Sequence, residues 1–237
     1  MSTTPRFIHL RSHSEYSLLE GALRLKKLPD LCRKAAMPAL ALTDTNNMFA
    51  ALEFSVAMSS AGIQPIIGCQ VDVAYVESRP GERPRDPAAV VLLAQNERGY
   101  ENLMKLNSCL YLDKAGALPQ VTLEELEARA DGIICLTGGP NGPVGMLLQA
   151  GQRPAAEASM QRLALAFGNR LYVELQRHPG ENGQPEAERL TERGFVEMAY
   201  AMDLPLVATN DVYFPDTRMY EAHDALICIA EGAYVDQ

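Results

Sequence analysis

The sequence lacks several features that would assign it to a class of protein directly. No apolar run approaches the roughly 18 residues that a membrane helix needs, and its first residues are too polar for a signal peptide. The five cysteines are widely spaced and form no CxxC motif, which predicts reduced, mostly buried thiols. A Walker loop, a GxGxxG turn and a GxSxG elbow are also missing. We therefore expect a cytoplasmic protein without a membrane partner.

Positive charge is scarce. The 237 residues include 21 lysines and arginines against 30 acidic residues, a formal net charge of −9. Duplex binding depends on neutralising phosphates with cations, so a chain this acidic is poorly suited to gripping nucleic acid across its whole surface. Its 47% hydrophobic content is typical of a globular protein with a sizeable core.

What the sequence does contain is an alternation of apolar strands and amphipathic helices. Seven strands are predicted at residues 7–10, 38–43, 63–76, 88–94, 132–137, 170–176 and 205–209. Helices are predicted at 23–37, 49–61, 97–112, 144–150, 154–167, 185–202 and 217–230, with a helix start capped by Thr122 and Glu125 and a surface loop at 77–87. Such alternation predicts a mostly parallel α/β sheet, either closed into a distorted barrel or open and doubly wound. No repeat or linker divides the chain, so we expect one domain.

Polar residues follow four of these strands. His13, Asp44, His178 and Asp211 each lie within a few residues of a strand's carboxyl end, where parallel barrels build active sites. Two imidazoles and two carboxylates would suit Zn, Mn or Fe. Other interpretations remain open at this point, because Asp44 could cap a helix, Asp211 could form a turn and His178 could be a surface loop residue.

Several motifs in order resemble a known family. They are HLRSHSEYSLLEG, ALTDTNNMFAALEFS, GIQPIIGCQ, LYVELQRH and LVATND, followed by MYEAHDALICIAEG. Together they resemble the PHP (polymerase and histidinol phosphatase) domain, in particular the copies at the N-terminus of bacterial DNA polymerase III alpha subunits. The resemblance implies a distorted seven-stranded (β/α)7 barrel over residues 1–232, with 233–237 starting the connection to polymerase domains. Active members of the family hold up to three metal ions and hydrolyse phosphoesters.

The chain departs from the pattern of those active members at most ligand positions. Arg11 replaces the first histidine of a His-x-His pair, and Thr45 replaces the histidine after Asp44. The other lost ligand positions are Gln70, Ala89, Gly139 and Tyr213. A guanidinium cannot lose its proton and cannot ligate a metal. At about 4 Å and an effective dielectric near 20 it would repel a divalent ion by roughly 8 kcal/mol.

These departures predict a degenerate site that holds no metal or other cofactor and performs no catalysis. We expect Arg11 to act as a charge substitute beside Asp44 and Asp211 in a remnant cleft with His13 and His178. The resemblance implies a structural and subunit-interaction module of a DNA-directed DNA polymerase that uses Mg. Its implied partners are the polymerase domains of the same chain, the proofreading exonuclease subunit and, through the parent protein, DNA. The alternative is a phosphoesterase or 3′–5′ exonuclease with a reduced metal site, since one ion can activate water.

Overall fold

A computed structural model describes residues 7–75, 86–112, 118–179 and 183–234. The chain forms two compact units. The first contains the described residues up to Cys69 and those from Asp211 onward, and the second runs from Gln70 to Asn210. The loop predicted at residues 77–87 lies largely outside the described residues.

Seven strands are present among the described residues. They are β1 (Ala39–Leu42), β2 (Gln64–Ala74), β3 (Ala88–Ala94), β4 (Val121–Thr122), β5 (Ile133–Leu136), β6 (Leu171–Leu175) and β7 (Leu206–Ala208). Hydrogen-bonded neighbours follow the order β1-β2-β3-β5-β6-β7, and β4 pairs with β2 off this path.

Eight α-helices lie between or after these strands in the described part of the chain. They are α1 (Leu28–Lys34), α2 (Ala51–Ser60), α3 (Glu97–Tyr111), α4 (Leu123–Glu127), α5 (Pro143–Gln149), α6 (Arg153–Phe167), α7 (Glu186–Ala201) and α8 (Tyr220–Glu231). Short 3₁₀ turns occupy Leu25–Lys27, Gly139–Asn141, Gly168–Arg170 and Thr217–Met219. None of the described helices is both long and apolar enough to cross a membrane.

In the first unit, α1 and α2 pack against β1, which pairs in parallel with the start of β2. Every residue of β1 is buried, as expected for a parallel strand covered by helices. The core joins apolar residues of the 3₁₀ turn, both helices and the strand, namely Leu25, Leu28, Cys32, Leu40, Leu42, Phe54 and Met58. Burial raises the pKa of the Cys32 thiol to about 11, which keeps it protonated and unreactive. This packing fixes the carboxyl end of β1, where Asp44 follows.

In the second unit, β5 and β6 are parallel and so are β6 and β7. The prediction of a mostly parallel sheet needs one correction here, because β3 and β5 are antiparallel. Both are short apolar runs, and nothing in such a run encodes the direction of its partner. The predicted cap is confirmed, since the Thr122 hydroxyl accepts from the Glu125 amide and the Glu125 carboxylate accepts from the Thr122 amide.

The prediction of a strand at residues 7–10 is wrong, because the structure has no regular strand there. The His9 carbonyl accepts a hydrogen bond from the Ala41 amide, and the Ser12 carbonyl accepts one from the Thr43 amide. The two acceptors are three positions apart in the chain, whereas the two donors, along β1 and just beyond it, are two positions apart. An extra residue of this kind interrupts the ladder, as in a β-bulge. Next to it, isolated bridges join Ser12 to Val212 and Ser14 to Leu23 in place of a regular strand. The interruption lies beside Arg11 and His13.

Candidate functional site: a buried ion-pair cluster

Asp44 lies just beyond β1 and is almost fully buried. Its carboxylate accepts three hydrogen bonds, from the Ser14 amide at 2.6 Å, the Ser14 hydroxyl at 2.7 Å and the Ser17 hydroxyl at 2.8 Å. A buried carboxylate is tolerated when its oxygens are bonded in this way. Asp44 therefore holds the segment around Ser14 and Ser17 against the end of β1.

That segment turns tightly before it leaves the site. The amide of Ser17 donates to the Ser14 carbonyl, and the amide of Gly21 donates to the Ser17 carbonyl. A Cβ added to Gly21 would lie 1.9 Å from the Ser14 carbonyl oxygen. Only glycine allows this close approach, so Gly21 is what lets the turn close over Asp44.

His13 is fully buried, and its Nδ1 faces two hydroxyl oxygens, Ser17 Oγ at 3.2 Å and Thr45 Oγ1 at 3.3 Å. The Ser17 hydroxyl donates its hydrogen to Asp44, and the Thr45 hydroxyl donates its hydrogen to Glu20 at 2.6 Å. These contacts enclose Nδ1 between two hydroxyl oxygens that are themselves bonded to carboxylates.

The other ring nitrogen, Nε2, lies 3.0 Å from Asp211 Oδ1. A carboxylate accepts hydrogen bonds, so Asp211 accepts from Nε2. Both ring nitrogens of His13 are thus engaged by contacts within the cluster, whereas a metal ligand needs one nitrogen free to coordinate.

Asp211 also has a cationic partner. Arg11 is also buried, and its guanidinium lies 3.0 Å from Asp211 Oδ2. Burial raises the pKa of Asp211, but the attraction of Arg11 and the hydrogen bond from His13 outweigh it, and the pKa lies below its usual value. The ion pair in the structure thus joins Arg11 to Asp211, whereas Asp44 is bonded by serines.

Aromatic rings cover one side of the cluster. Tyr213 stacks on His13 with ring centroids 4.3 Å apart and an interplanar angle of 7°. Its hydroxyl donates to Asp211 at 3.3 Å, and burial raises its pKa, so it stays protonated. His223 on α8 tilts over Tyr213 and bonds the Glu20 carbonyl at 2.7 Å. Tyr213, at a position predicted to have lost its metal ligand, therefore packs over the ring of His13.

The other predicted site residues lie in the second unit. His178 is bonded twice to Glu188, which accepts from its amide at 2.9 Å and lies 2.5 Å from its Nδ1. This pair links the loop after β6 to the first turn of α7. The His178 side chain is 37% exposed. Gln70 and Ala89 are buried within β2 and β3.

A second buried carboxylate, Glu174, was not predicted as part of any site. It lies on β6 and accepts from the Thr209 hydroxyl and from the Gln176 amide group. A Cβ on Gly139 would lie 3.2 Å from the Gln176 side chain, so Gln176 fills the space beside this lost ligand position. Glu174 lies inside the quoted motif LYVELQRH but was not singled out, because it sits within a largely apolar strand.

Sequence reasoning also missed the hydroxyls of Ser14, Ser17 and Thr45 and the carboxylate of Glu20. The quoted motif SHSEYS contains two of them, and that run of serines beside a histidine was the available signal. What these residues do depends on which oxygen each hydroxyl faces, and a linear sequence does not specify that.

The residues of the first unit do not fit a metal ion. Arg11 supplies a permanent cation beside Asp211, and both nitrogens of His13 are already engaged. The described contacts of the Asp44 carboxylate are with amide and hydroxyl donors, not with other side chains that could ligate a metal. Among the described residues, no group of three or more histidines, cysteines and carboxylates has the arrangement needed to hold a metal.

The sequence profile of the PHP domain matches residues 9–178. The chain belongs to the PHP family. It is 47% identical over 233 residues to DNA polymerase III subunit alpha of Caulobacter vibrioides, covering 98% of this chain and 20% of that protein. Against the subunit of Rickettsia bellii it is 36% identical over 227 residues, covering 95% and 18%. The resemblance to the PHP domain of these subunits is confirmed, and the chain spans about a fifth of their length.

Two solved structures share the fold. A protein of Bifidobacterium adolescentis assigned as a metal-dependent phosphoesterase has a TM-score of 0.54 at 13% identity, covering 88% of each chain. An amidohydrolase of Chromobacterium violaceum has a TM-score of 0.54 at 16% identity, covering 92% of this chain and 96% of that one. At these identities the likeness shows the fold alone. The predicted α/β fold of the PHP type is confirmed.

Proposed function

We propose that this PHP domain is a structural and subunit-interaction module of a bacterial DNA polymerase III alpha subunit and is not itself a phosphoesterase. The observation that carries the proposal is the cluster of Arg11, His13 and Asp211. A guanidinium and an imidazole, both buried, flank the carboxylate of Asp211 where the resemblance places the metal site of active family members. Such a cluster stabilises a fold but offers no coordination site for water activation.

The parent protein would be a cytoplasmic DNA-directed DNA polymerase, a nucleotidyltransferase that uses Mg on its own carboxylates. The domain would pack against the polymerase domains of the same chain and bind the proofreading exonuclease subunit. Support comes from the relatives, which carry the name DNA polymerase III subunit alpha and are about five times longer than this chain.

The test uses the full-length protein, as wild type and as His13→Gln. Primer extension with Mg and hydrolysis of a phosphodiester with Mn or Zn are measured on both, after metal analysis of protein prepared without chelators. We expect primer extension, and any trace hydrolysis should be equal in the two proteins because it comes from a contaminant. Stoichiometric metal together with hydrolysis abolished by His13→Gln would instead establish the reduced-site phosphoesterase.

Exonuclease binding is tested separately. The full-length protein and a version lacking residues 1–232 are each mixed with the exonuclease subunit of the same organism and separated by gel filtration. We expect co-elution with the full-length protein only. Undiminished co-elution with a folded, polymerase-active truncation would contradict this part of the proposal.

A further inference from the structure

The surface of the first unit carries a concentration of positive charge that the site does not use. Five cations lie within residues 24–34, with one carboxylate between them. We call Arg24, Lys26, Lys27, Arg33 and Lys34 the basic patch. All five are exposed, and they lie on a 3₁₀ turn and α1 whose opposite side is buried through Leu25, Leu28 and Cys32. In a chain with a net charge of −9 this local excess is unusual.

Most of this charge is not neutralised by the protein. The one carboxylate of the segment, Asp30, pairs with Arg33 at 3.0 Å. Lys26, Lys27 and Lys34 make no ion pair with any residue that the structure describes. Their charges are therefore open to an external anion.

The chemistry of the patch discriminates between possible anionic partners. Its exposed residues are all charged, so it offers no apolar or aromatic anchor of the kind that carries the energy of a protein interface. Without an aromatic residue between Arg24 and Lys34 it also offers no platform for stacking unpaired bases. Lysines suit phosphate oxygens as point charges, and binding to a duplex backbone needs charge alone.

The length of the patch fits this partner. Lys26 and Lys34 are eight residues apart, which corresponds to roughly 12 Å along a helical segment. A DNA strand places a phosphate about every 3.4 Å along the duplex axis. The patch can therefore reach several consecutive phosphates of one strand.

We propose that the basic patch binds the phosphate backbone of duplex DNA, without reading its sequence. The inference rests on the proposed function, because the chain meets duplex DNA as part of a polymerase. Backbone contacts position a protein on a duplex and carry no sequence information themselves.

The experiment compares three forms of the full-length protein: wild type, the variant Lys26→Gln/Lys27→Gln/Lys34→Gln, and the control Arg98→Gln/Lys105→Gln/Arg193→Gln. Both variants lose three positive charges, but the control residues pair with carboxylates in the structure. Affinity for a short fluorescent duplex is measured by anisotropy between about 50 and 200 mM salt. Circular dichroism and primer extension at saturating template verify folding and activity.

For the patch variant we expect weaker binding, on the order of tenfold at low salt. The dependence of log Kd on log salt should also be shallower, by about 0.9 for each phosphate that the variant no longer neutralises. The control should retain the wild-type slope. An unchanged slope in the patch variant, or an equal change in the control, would overturn the proposal. If the wild type extends primers while either of these results is obtained, the proposed function stands and only the patch assignment fails. A wild type without polymerase activity would fail the proposed function itself.

Discussion

Residues that the sequence predicted as remnants of a metal site occur in both units, in different environments. In the first unit Arg11 and His13 are buried and both contact the carboxylate of Asp211, which is 12% exposed. In the second, His178 is partly exposed and forms a single pair with Glu188. Removing one member of a buried ion pair strongly lowers the stability of the fold, whereas exposed pairs contribute little to it. Burial, rather than residue type, should therefore determine what each survivor contributes.

The largest effect should follow from removing the buried guanidinium. Arg11→Ala leaves Asp211 buried with less compensating charge, and we expect a loss of about 3–5 kcal/mol in the free energy of unfolding, measured by urea denaturation. Arg11→Ala/Asp211→Asn should recover part of this loss, because the uncompensated carboxylate is also gone. A loss below about 1 kcal/mol for the single variant would remove the basis of the comparison.

The comparison itself can be tested with one substitution at two sites. His13→Gln removes a buried ring whose two nitrogens both make polar contacts within the cluster, and we expect it to cost roughly 2–3 kcal/mol. His178→Gln removes one partly exposed pair and should cost less than about 1 kcal/mol. Thermal unfolding of the two variants side by side gives the difference. Equal losses of stability would show that burial does not determine how much each histidine contributes.

The sequence predicted those parts of the fold that are encoded locally. The helix predicted at residues 97–112 appears as α3, because its apolar residues recur at helical spacing and Asn96 caps its start. The antiparallel pairing of β3 with β5 and the two-residue strand β4 depend on distant partners, and local pattern does not encode them. The strand predicted at residues 7–10 failed for the same reason, since the interruption opposite β1 is a property of the pair.

The site divides in the same way. Arg11, His13, Asp44 and Asp211 could be named from the sequence because their side chains have distinctive chemistry. The sequence could not predict that Arg11 pairs with Asp211 while serines bind Asp44. Nor could it show that Ser17 and Thr45 enclose Nδ1 of His13, because a hydroxyl can donate or accept according to its neighbours.

A smaller effect is expected from acid. The pKa of Asp211 is lower in the folded protein than in the unfolded chain, so the unfolded state binds more protons in this range. The stabilisation is complete above the unfolded value of about 3.9 and is lost as the pH falls through the folded value. Asp211→Asn should therefore flatten the decline of stability below about pH 4, measured by thermal unfolding. A decline as steep as that of the wild type would indicate that other carboxylates cause it.

The smallest expected effect is the most direct test of metal chemistry. A bound ion would stabilise the folded state by an amount that grows with its concentration, about 2.7 kcal/mol at a hundredfold excess over Kd. Because Arg11 supplies a permanent positive charge beside Asp211 and both nitrogens of His13 are engaged, we expect neither chelator nor added Zn or Mn to change the unfolding temperature. Arg11→His, which restores an imidazole, should not create binding either. Five other predicted ligand positions still lack their donors, namely Thr45, Gln70, Ala89, Gly139 and Tyr213. A concentration-dependent rise in the wild type that His13→Gln abolishes would contradict this reasoning. A rise in Arg11→His alone would show that the guanidinium by itself keeps the ion out.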